Sequence, residues 1–301
     1  MAAKINYSII MLDKNKIEYF LFRFFNKILF ALGLNKSRKL ARLIGTFFYY
    51  FIPIRKKTVL SNLKSAFPEK SLKEIKSIAK KNYQNISITF CELMLLPSLK
   101  LSEIKSQVWF DNLDLIRNKI SNGKGLILLT GHFGNWEILV SSIVSYIDAK
   151  YHVLVKPQRN EYITRWLRNT RSIGNTNVIE VGISVKEIIK ALKAGEVVLI
   201  AGDQRGPYEG NRFQFFNRQT ALFTGTASIA LKTNCNVLLV AIVRQPDYKY
   251  KAYVEELNFK ELPEDNEKKS IELTQRYISF LEKYVRENPE QYFWMHKLWK
   301  Y

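Results

Sequence analysis

Short apolar runs alternate with helical repeats along most of the chain. Runs of four to six consecutive apolar residues, such as Val197-Val-Leu-Ile-Ala201, are typical of buried strands. Longer segments place apolar residues three and four positions apart, which indicates helices with one buried face. The pattern predicts strands at 125–130, 151–155, 177–181, 196–201, 236–244 and 250–257. It predicts helices at 71–95, 137–147, 161–171, 185–193, 220–232 and 270–286.

This alternation determines the expected fold class. Strands that alternate with helices form parallel βαβ units, so we predict an α/β fold with a mostly parallel central sheet flanked by helices. Ser71-Leu-Lys-Glu74 has the spacing of a capping box and marks the start of the first long helix. We found neither internal repeats nor a low-complexity linker, and we assign 53–301 to one catalytic α/β domain.

The first 52 residues have a different pattern. The aromatic-rich run 17–32 is interrupted by Glu18, Arg23 and Lys27, and the apolar run 43–52 stops at Pro53. A membrane-spanning helix needs about 20 nearly uncharged residues, so we predict that 1–52 is a membrane-anchoring helical segment lying in the interface. Two alternatives stay open: a pair of core helices packed on the domain, and a single tilted span. We expect no cleavable signal, because the apolar run starts late.

The net charge of the chain limits the classes of binding partner that we expect. The chain has 47 Lys+Arg against 27 Asp+Glu, a formal charge of +20, and 47% hydrophobic residues, which excludes a disordered polycation. Such a surface attracts anionic lipids, nucleic acid or an acidic carrier protein. Because no zinc-finger spacing, RNP motif or basic-region heptad is present, we predict an anionic membrane surface as partner and no nucleic acid.

The most informative polar turn follows the strand at 125–130. Gly131-His-Phe-Gly-Asn-Trp-Glu137 places His132 between a strand and a helix, and Glu137 in the first turn of that helix. Histidine can accept a proton from an alcohol near neutral pH, and a carboxylate partner would orient its ring. We therefore predict His132 as a general base oriented by Glu137, with an oxyanion held by N–H groups at the helix start. Alternatively, Glu137 only caps the helix and His132 bonds nearby backbone.

A second polar turn follows the strand at 196–201. Asp203, Gln204 and Arg205 follow this strand directly, and they should lie beside His132 if the two strands are neighbours. We predict that they support the site and position substrate. A basic cluster precedes this turn in the sequence, and its cations suit phosphate groups: Lys156, Arg159, Arg165, Arg168 and Arg171. Aromatic residues near the two turns are candidates for an acyl groove, although they are more often core: Phe133, Trp136, Phe213, Phe215 and Phe216.

The sequence lacks the motifs of several other enzyme classes. The chain contains no G-x-S-x-G elbow, no H-E-x-x-H, no Walker A loop and no G-x-G-x-x-G. Cys91 and Cys235 lie in apolar segments without a neighbouring base, so we expect reduced, buried and unreactive thiols. We predict a site without metal or cofactor.

The turn at Gly131–Glu137 resembles the bacterial lipid A biosynthesis (late) acyltransferases, which carry G-H-x-G-N-W-E. Other segments resemble the same family in the same order, and the resemblance covers nearly the whole chain: Ile54 to Pro68, Gly202-Asp-Gln204, Phe215-Phe216, Gly225-Thr-Ala227, and Gln291 to Lys300. One departure is Val155-Lys156-Pro157, where family members commonly have Arg before the proline. Lys cannot form the bidentate contacts of a guanidinium.

The resemblance implies an activity. It implies transfer of a fatty acyl chain from an acyl carrier protein or acyl-CoA thioester to a hydroxyl of a lipid A precursor or related glycolipid. It also implies a peripheral position at the cytoplasmic face of the bacterial inner membrane. Alternatives are acylation of another membrane lipid, such as a glycosylated phospholipid or aminolipid, and a non-catalytic peripheral membrane protein. The residues expected to contact substrate are Asn135, Lys156, Arg159, Arg171, Asp203, Gln204 and Arg205.

Overall fold

The computed structural model describes residues 13–180 and 184–299. Predictions that fall on residues 1–12, on Val181 and on Lys300 lie outside these residues. The helices are α1 (Lys14–Tyr50), α2 (Lys56–Ala66), α3 (Leu72–Leu95), α4 (Leu101–Gln107), α5 (Leu113–Ser121), α6 (Trp136–Tyr146), α7 (Glu161–Arg171), α8 (Ser184–Lys193), α9 (Gly225–Thr233) and α10 (Asn266–Glu287). The strands are β1 (Val108–Phe110), β2 (Leu126–Thr130), β3 (Tyr151–Val155), β4 (Thr176–Glu180), β5 (Val197–Ala201), β6 (Arg212–Phe215), β7 (Arg218–Ala221), β8 (Asn236–Arg244) and β9 (Tyr250–Glu256).

A mostly parallel sheet forms the centre of the described chain. Seven strands pair in the order β1-β9-β8-β2-β5-β3-β4, and among these pairs only β8 and β9 run antiparallel. Successive residues of β2 point into opposite cores: Ile127 and Leu129 join one hydrophobic cluster, whereas Leu126 and Leu128 join the other. A strand buried on both faces explains the unbroken apolar run in the sequence. The predicted fold class is confirmed.

Most predicted elements form, with one clear error. The helix expected at 220–232 begins only at Gly225, as α9, because Thr220 and Ala221 end the antiparallel hairpin β6–β7. The hairpin turns at Phe216 and Asn217, both with positive φ, and it buries Phe213 and Phe215 on one face. No glycine marks this turn, so the sequence carries no strong hairpin signal there.

The N-terminal helix α1 packs along α3 and bends at Gly33, whose φ of +70° interrupts the helical backbone. Leu29, Arg38 and Ala41 are buried against the domain. The outer face exposes a set of large apolar side chains: Ile17, Phe20, Leu21, Phe24, Ile28, Phe30, Leu32, Leu43, Phe47 and Tyr50. The segment therefore packs on the domain and also presents an apolar surface. Within the described ranges, no helix is both long and apolar enough to cross a bilayer.

Candidate active site

The two polar turns meet at one edge of the sheet. β2 and β5 are parallel neighbours, and Thr130 pairs with Ala201 at their carboxyl ends. The chain leaves these strands through Gly131 and Gly202, which brings His132 and Asp203 together. The expectation that the Asp203 turn lies beside His132 is thus confirmed, because the strands are neighbours.

Asp203 holds His132 through two hydrogen bonds. Nδ1 of the ring lies 2.7 Å from Asp203 Oδ1, and the backbone N–H of His132 donates to Oδ2 at 2.9 Å. The carboxylate is 3% exposed, whereas the imidazole is 20% exposed. Because an ionised carboxylate only accepts hydrogen bonds, Nδ1 carries the proton and Nε2 is unprotonated, with a lone pair that can accept. This is the tautomer that a general base requires.

The electrostatics of the pair favour its charged form. Burial lowers the pKa of His132, but the charge and hydrogen bond of Asp203 more than offset this, and the pKa lies above its ordinary value. Burial likewise raises the pKa of Asp203, yet the neighbouring His132 outweighs it and holds that pKa below its ordinary value. The pair therefore stabilises the imidazolium that forms when the ring accepts a proton.

Glu137 has a different partner from the predicted one. Its two carboxylate oxygens accept from Arg171, Nε at 2.9 Å and Nη2 at 2.7 Å, and Oε1 also accepts from Trp136 Nε1 at 3.1 Å. The prediction that Glu137 orients the His132 ring by direct contact is therefore wrong; Asp203 does so. Glu137 still acts on His132 at longer range, because its charge contributes to raising the pKa of that ring.

The turn between β2 and α6 requires glycine at position 134. Its φ is +60°, and a Cβ there would lie 1.7 Å from the carbonyl oxygen of Ile242. Gly134 N donates to the carbonyl of Gln291, and Phe293 N donates to the carbonyl of His132. The segment Gln291–Phe293 thus clamps the turn by backbone hydrogen bonds. Its sequence was matched as a motif, but no role for it was predicted.

The side chain of Asn135 supports this turn from inside the protein. It is fully buried, and its Oδ1 caps α6 by accepting from the N–H groups of Glu137 and Ile138. This placement differs from the predicted contact with substrate. It also occupies two of the N–H groups at the helix start, where the oxyanion donors are expected.

The other residues predicted to contact substrate differ in their exposure and in their partners. Gln204 is exposed, and its Nε2 lies 3.4 Å from His132 Nε2, so it borders the reactive nitrogen. Arg205 bonds the C-terminal segment through His296 and Lys297. Arg171 pairs with Glu137, whereas Lys156 and Arg159 are exposed.

An apolar groove of about 470 Å³ is separated from the pair by the side chain of Phe293, which lines it. It runs between α1, α3 and the C-terminal segment, and its lining includes Phe25, Phe48, Phe90 and Phe293. The Phe293 ring centroid is 6.2 Å from that of His132, so this side chain joins the groove to the base. Such a volume falls within the range of ligand pockets.

The groove uses other aromatic residues than those predicted. Phe133, Phe213, Phe215 and Phe216 are core side chains, each at most 2% exposed. Trp136 does contact the His132 ring, at 5.2 Å between centroids. The residues that line the groove come from α1, α3 and the C-terminal segment, which are distant in sequence from the catalytic turn.

The cysteines are free and buried, as expected. Burial raises the pKa of Cys91 to about 12 and also raises that of Cys235. Neither thiol forms the thiolate needed for nucleophilic attack at neutral pH.

The arrangement of His132, Asp203 and the groove can deprotonate a hydroxyl at His132 while an apolar chain occupies the nearby groove.

Comparison with known proteins agrees with this chemistry. The family model for bacterial lipid A biosynthesis acyltransferases matches residues 10–301. The chain is 25% identical over 265 residues to the lipid A biosynthesis palmitoleoyltransferase of Escherichia coli (strain K12), covering 85% of this chain and 82% of that protein. It is also 25% identical over 263 residues to the lipid A biosynthesis lauroyltransferase of the same organism, covering 85% and 83%. A match of this extent establishes that the chain is an acyltransferase and belongs to the bacterial lipid A biosynthesis acyltransferase family.

Proposed function

We propose that the protein transfers a fatty acyl chain from a thioester donor, an acyl carrier protein or acyl-CoA, to a hydroxyl of a lipid A precursor or related glycolipid. The observation that carries the proposal is the His132–Asp203 pair, whose unprotonated Nε2 is joined to an apolar groove by the side chain of Phe293. Two relatives are named for the palmitoleoyl and lauroyl chains that they transfer in lipid A biosynthesis. Both names fit a long apolar substrate.

The chemistry follows from the tautomer of His132. Nε2 removes the proton of the acceptor hydroxyl as its oxygen attacks the thioester carbonyl. The tetrahedral intermediate then collapses, the carbon–sulfur bond breaks, and the imidazolium returns its proton to the departing thiolate. Asp203 stabilises the imidazolium throughout. Gln204, close to Nε2, is our candidate donor to the oxyanion, because the N–H groups of Glu137 and Ile138 are already bonded.

Phosphate groups on the acceptor or on a carrier's pantetheine arm would meet cations near this site. Lys156, Arg159 and Arg165 are exposed at the end of β3 and along α7. Arg171 on the same helix contacts Glu137 and so links this basic surface to the catalytic turn. Exposed cations attract phosphates over a range of about 8 Å at physiological salt.

The apolar face of α1 supports a peripheral position on the membrane. Phe20, Phe24 and Phe30 are each more than half exposed in the first part of the helix, and Leu43 is in the second. Together with the formal charge of +20, this face suits an anionic bilayer surface. We propose that the protein works at the cytoplasmic face of the inner membrane, where it would meet an acyl thioester donor.

The test is mass spectrometry of total lipids from cells that express the wild type, His132→Ala, or neither. Wild type should add one acyl mass to a lipid A precursor, and His132→Ala should add none. His152→Gln is the matched control, because His152 also bonds a carboxylate, Glu196, but at the other end of the strands. This variant should behave as wild type.

Different outcomes would change the proposal in different ways. A single acyl shift in a phospholipid or aminolipid would replace the acceptor while keeping the chemistry. Wild-type transfer by folded His132→Ala would remove His132 as the base. No shift in any lipid class would reject the lipid acceptors proposed here.

A further inference from the structure

A buried ionic cluster lies behind the catalytic turn. Its centre is Glu92 on α3, whose carboxylate is 1% exposed. Arg38 on α1 donates to Oε1 at 2.6 Å, and Arg244 on β8 approaches Oε2 at 3.5 Å. Tyr250 on β9 also donates to Oε2. Three sequence regions far from the motif thus meet at one carboxylate.

The same carboxylate reaches the active site through Asn135. Nδ2 of Asn135 donates to Glu92 Oε2 at 2.7 Å, while Oδ1 of the same amide caps α6. One turn earlier on α3, Thr89 donates to the carbonyl of Gly134 at 3.0 Å and accepts from Arg244 at 2.9 Å. The cluster therefore holds two successive residues of the His132–Glu137 turn.

Packing alone does not account for such a cluster. One carboxylate faces two guanidinium groups, and all three side chains are at most 4% exposed. Removing charges from water costs several kcal/mol per ion, and apolar side chains of similar size are often at least as stabilising. Each member of the cluster bonds either the catalytic turn or a residue that does so, which suggests a role in the geometry of the turn.

We propose that Glu92 and Arg38 are positioning residues, which fix the His132 turn through Asn135 and connect it to the N-terminal helix. The proposal rests on acyl transfer at His132. Neither residue touches substrate, so their loss should lower kcat and leave KM unchanged. A displacement of about 1 Å at a catalytic group can cost about 100-fold in rate.

The connection to α1 gives the cluster a second consequence. Arg38 lies on the buried face of the helix whose outer face is apolar, and its Nη2 also donates to Gln107 at 3.0 Å. Movement of α1 away from α3 would withdraw Arg38 from Glu92. The turn should then loosen, so the seating of the N-terminal helix and the rate of transfer are coupled.

The experiment combines steady-state kinetics with hydrogen exchange on the full chain in detergent. In Glu92→Gln we expect kcat to fall about 10- to 100-fold with KM unchanged. The amides of Glu137 and Ile138 should exchange faster. Glu196→Gln is the matched control: Glu196 also holds two basic groups, Lys150 and His152, but precedes β5 at the opposite edge of the sheet. It should change neither readout.

Glu92→Gln leaves Arg38 and Arg244 without the carboxylate that faces them. If this variant does not fold for that reason, two further variants still test the proposal. Asn135→Ser keeps a capping oxygen and both ion pairs but loses the bond to Glu92, so its kcat should fall. Arg38→Met leaves one guanidinium for one carboxylate, and both α1 and the turn should exchange faster.

Each possible result tests a different part of the proposal. Unchanged exchange and kcat in folded Glu92→Gln, or in Asn135→Ser, would overturn the positioning role. Faster exchange in α1 alone, in Arg38→Met, would overturn the connection between helix and turn. Activity retained by His132→Ala would refute the proposed base, yet the exchange results would stand independently.

Discussion

At the scale of single residues, two carboxylates near His132 have separate tasks. Asp203 contacts the ring and sets its tautomer, whereas Glu137 binds Arg171 in a bidentate pair. Glu137 and Arg171 thereby join the start of α6 to the end of α7. The ring and the basic helix α7 are thus linked through the catalytic turn.

This division gives a prediction for pH dependence. His132 acts as a base only when neutral, so kcat/KM should fall as pH drops through its raised pKa. Asp203→Asn removes the charge that raises this pKa, and the acidic limb of the profile should therefore move to lower pH. The maximal rate should fall by about 10²–10⁴-fold, because the ring loses its orientation. Initial rates across a pH series measure both effects.

The two parts of this prediction can fail separately. An acidic limb that stays in place in Asp203→Asn would mean that another group controls the titration. A shifted limb with an undiminished rate would mean that Asp203 sets the pKa of His132 but does not orient its ring.

Sequence spacing singled out His132 as the candidate base but not the carboxylate that contacts it. Glu137 is five positions away and was the obvious carboxylate, whereas Asp203 is distant in sequence and follows another strand. Only the pairing of β2 with β5 makes it a neighbour. The relevant signal was present, since both residues follow predicted strand ends, but strand order cannot be read from local patterns.

At the scale of elements, α1 combines an exposed apolar surface, our proposed membrane anchor, with a structural role. Its outer aromatic side chains are exposed, but Leu29, Arg38 and Ala41 complete the core and the ionic cluster. Deleting the segment would uncover buried apolar surface and leave Glu92 without Arg38. Point substitutions on the outer face are therefore the sharper probe of membrane binding.

We predict that Phe20→Gln, Phe24→Gln and Phe47→Gln together release the protein from anionic vesicles. Burying one such side chain contributes about 1.5–3 kcal/mol, so the combined partition coefficient should fall at least about 100-fold. Flotation of the full chain with vesicles measures it. High salt should weaken wild-type binding only partly, because the apolar contribution is not screened.

The control for this prediction is a pair of exposed aromatic residues on other elements. Trp109 is 58% exposed on β1 and Phe259 is 37% exposed after β9. Trp109→Gln and Phe259→Gln should float as wild type does. Equal loss in both sets would show general surface hydrophobicity, and full flotation of the α1 variant would place the membrane contact elsewhere.

The helices and strands with the most regular apolar patterns were predicted most accurately. β3, α7 and β8 have the predicted bounds, because their apolar patterns are regular and end at polar residues. The β6–β7 hairpin was missed because its strands are four residues long and its turn lacks glycine. Its exposed positions alternate with Phe213 and Phe215, which was a weak strand signal within a polar loop.

At the scale of the whole molecule, the site favours a single transfer step. The pKa values of both cysteine thiols are raised, and Phe293 joins the groove to His132, the proposed base. Donor and acceptor should therefore be bound together, and double-reciprocal plots of initial rates should intersect. Cys91→Ala together with Cys235→Ala should remain active.

An acyl-enzyme would contradict this mechanism. Incubation with donor alone should leave the protein mass unchanged. A stoichiometric acyl adduct that forms and decays at the turnover rate, together with parallel double-reciprocal lines, would assign the chemistry to a nucleophile instead of a base.

The parallel sheet followed from the alternation of elements, but the assembly of the groove did not. Its walls come from α1, α3 and the C-terminal segment, which are far apart in the sequence and meet only in the folded chain. Local patterns specify which face of each helix is apolar. They do not specify which apolar faces leave a space between them.

The clamp by Gln291–Phe293 has a consequence for protein synthesis. These residues leave the ribosome long after His132, so the nascent chain emerges with its catalytic turn still unclamped. Gly134 lacks its hydrogen bond and the Phe293 wall of the groove is missing until then. Helix α1, by contrast, precedes both segments in the chain. If α1 binds the membrane as we propose, the chain can therefore reach that surface before it is able to transfer an acyl chain there.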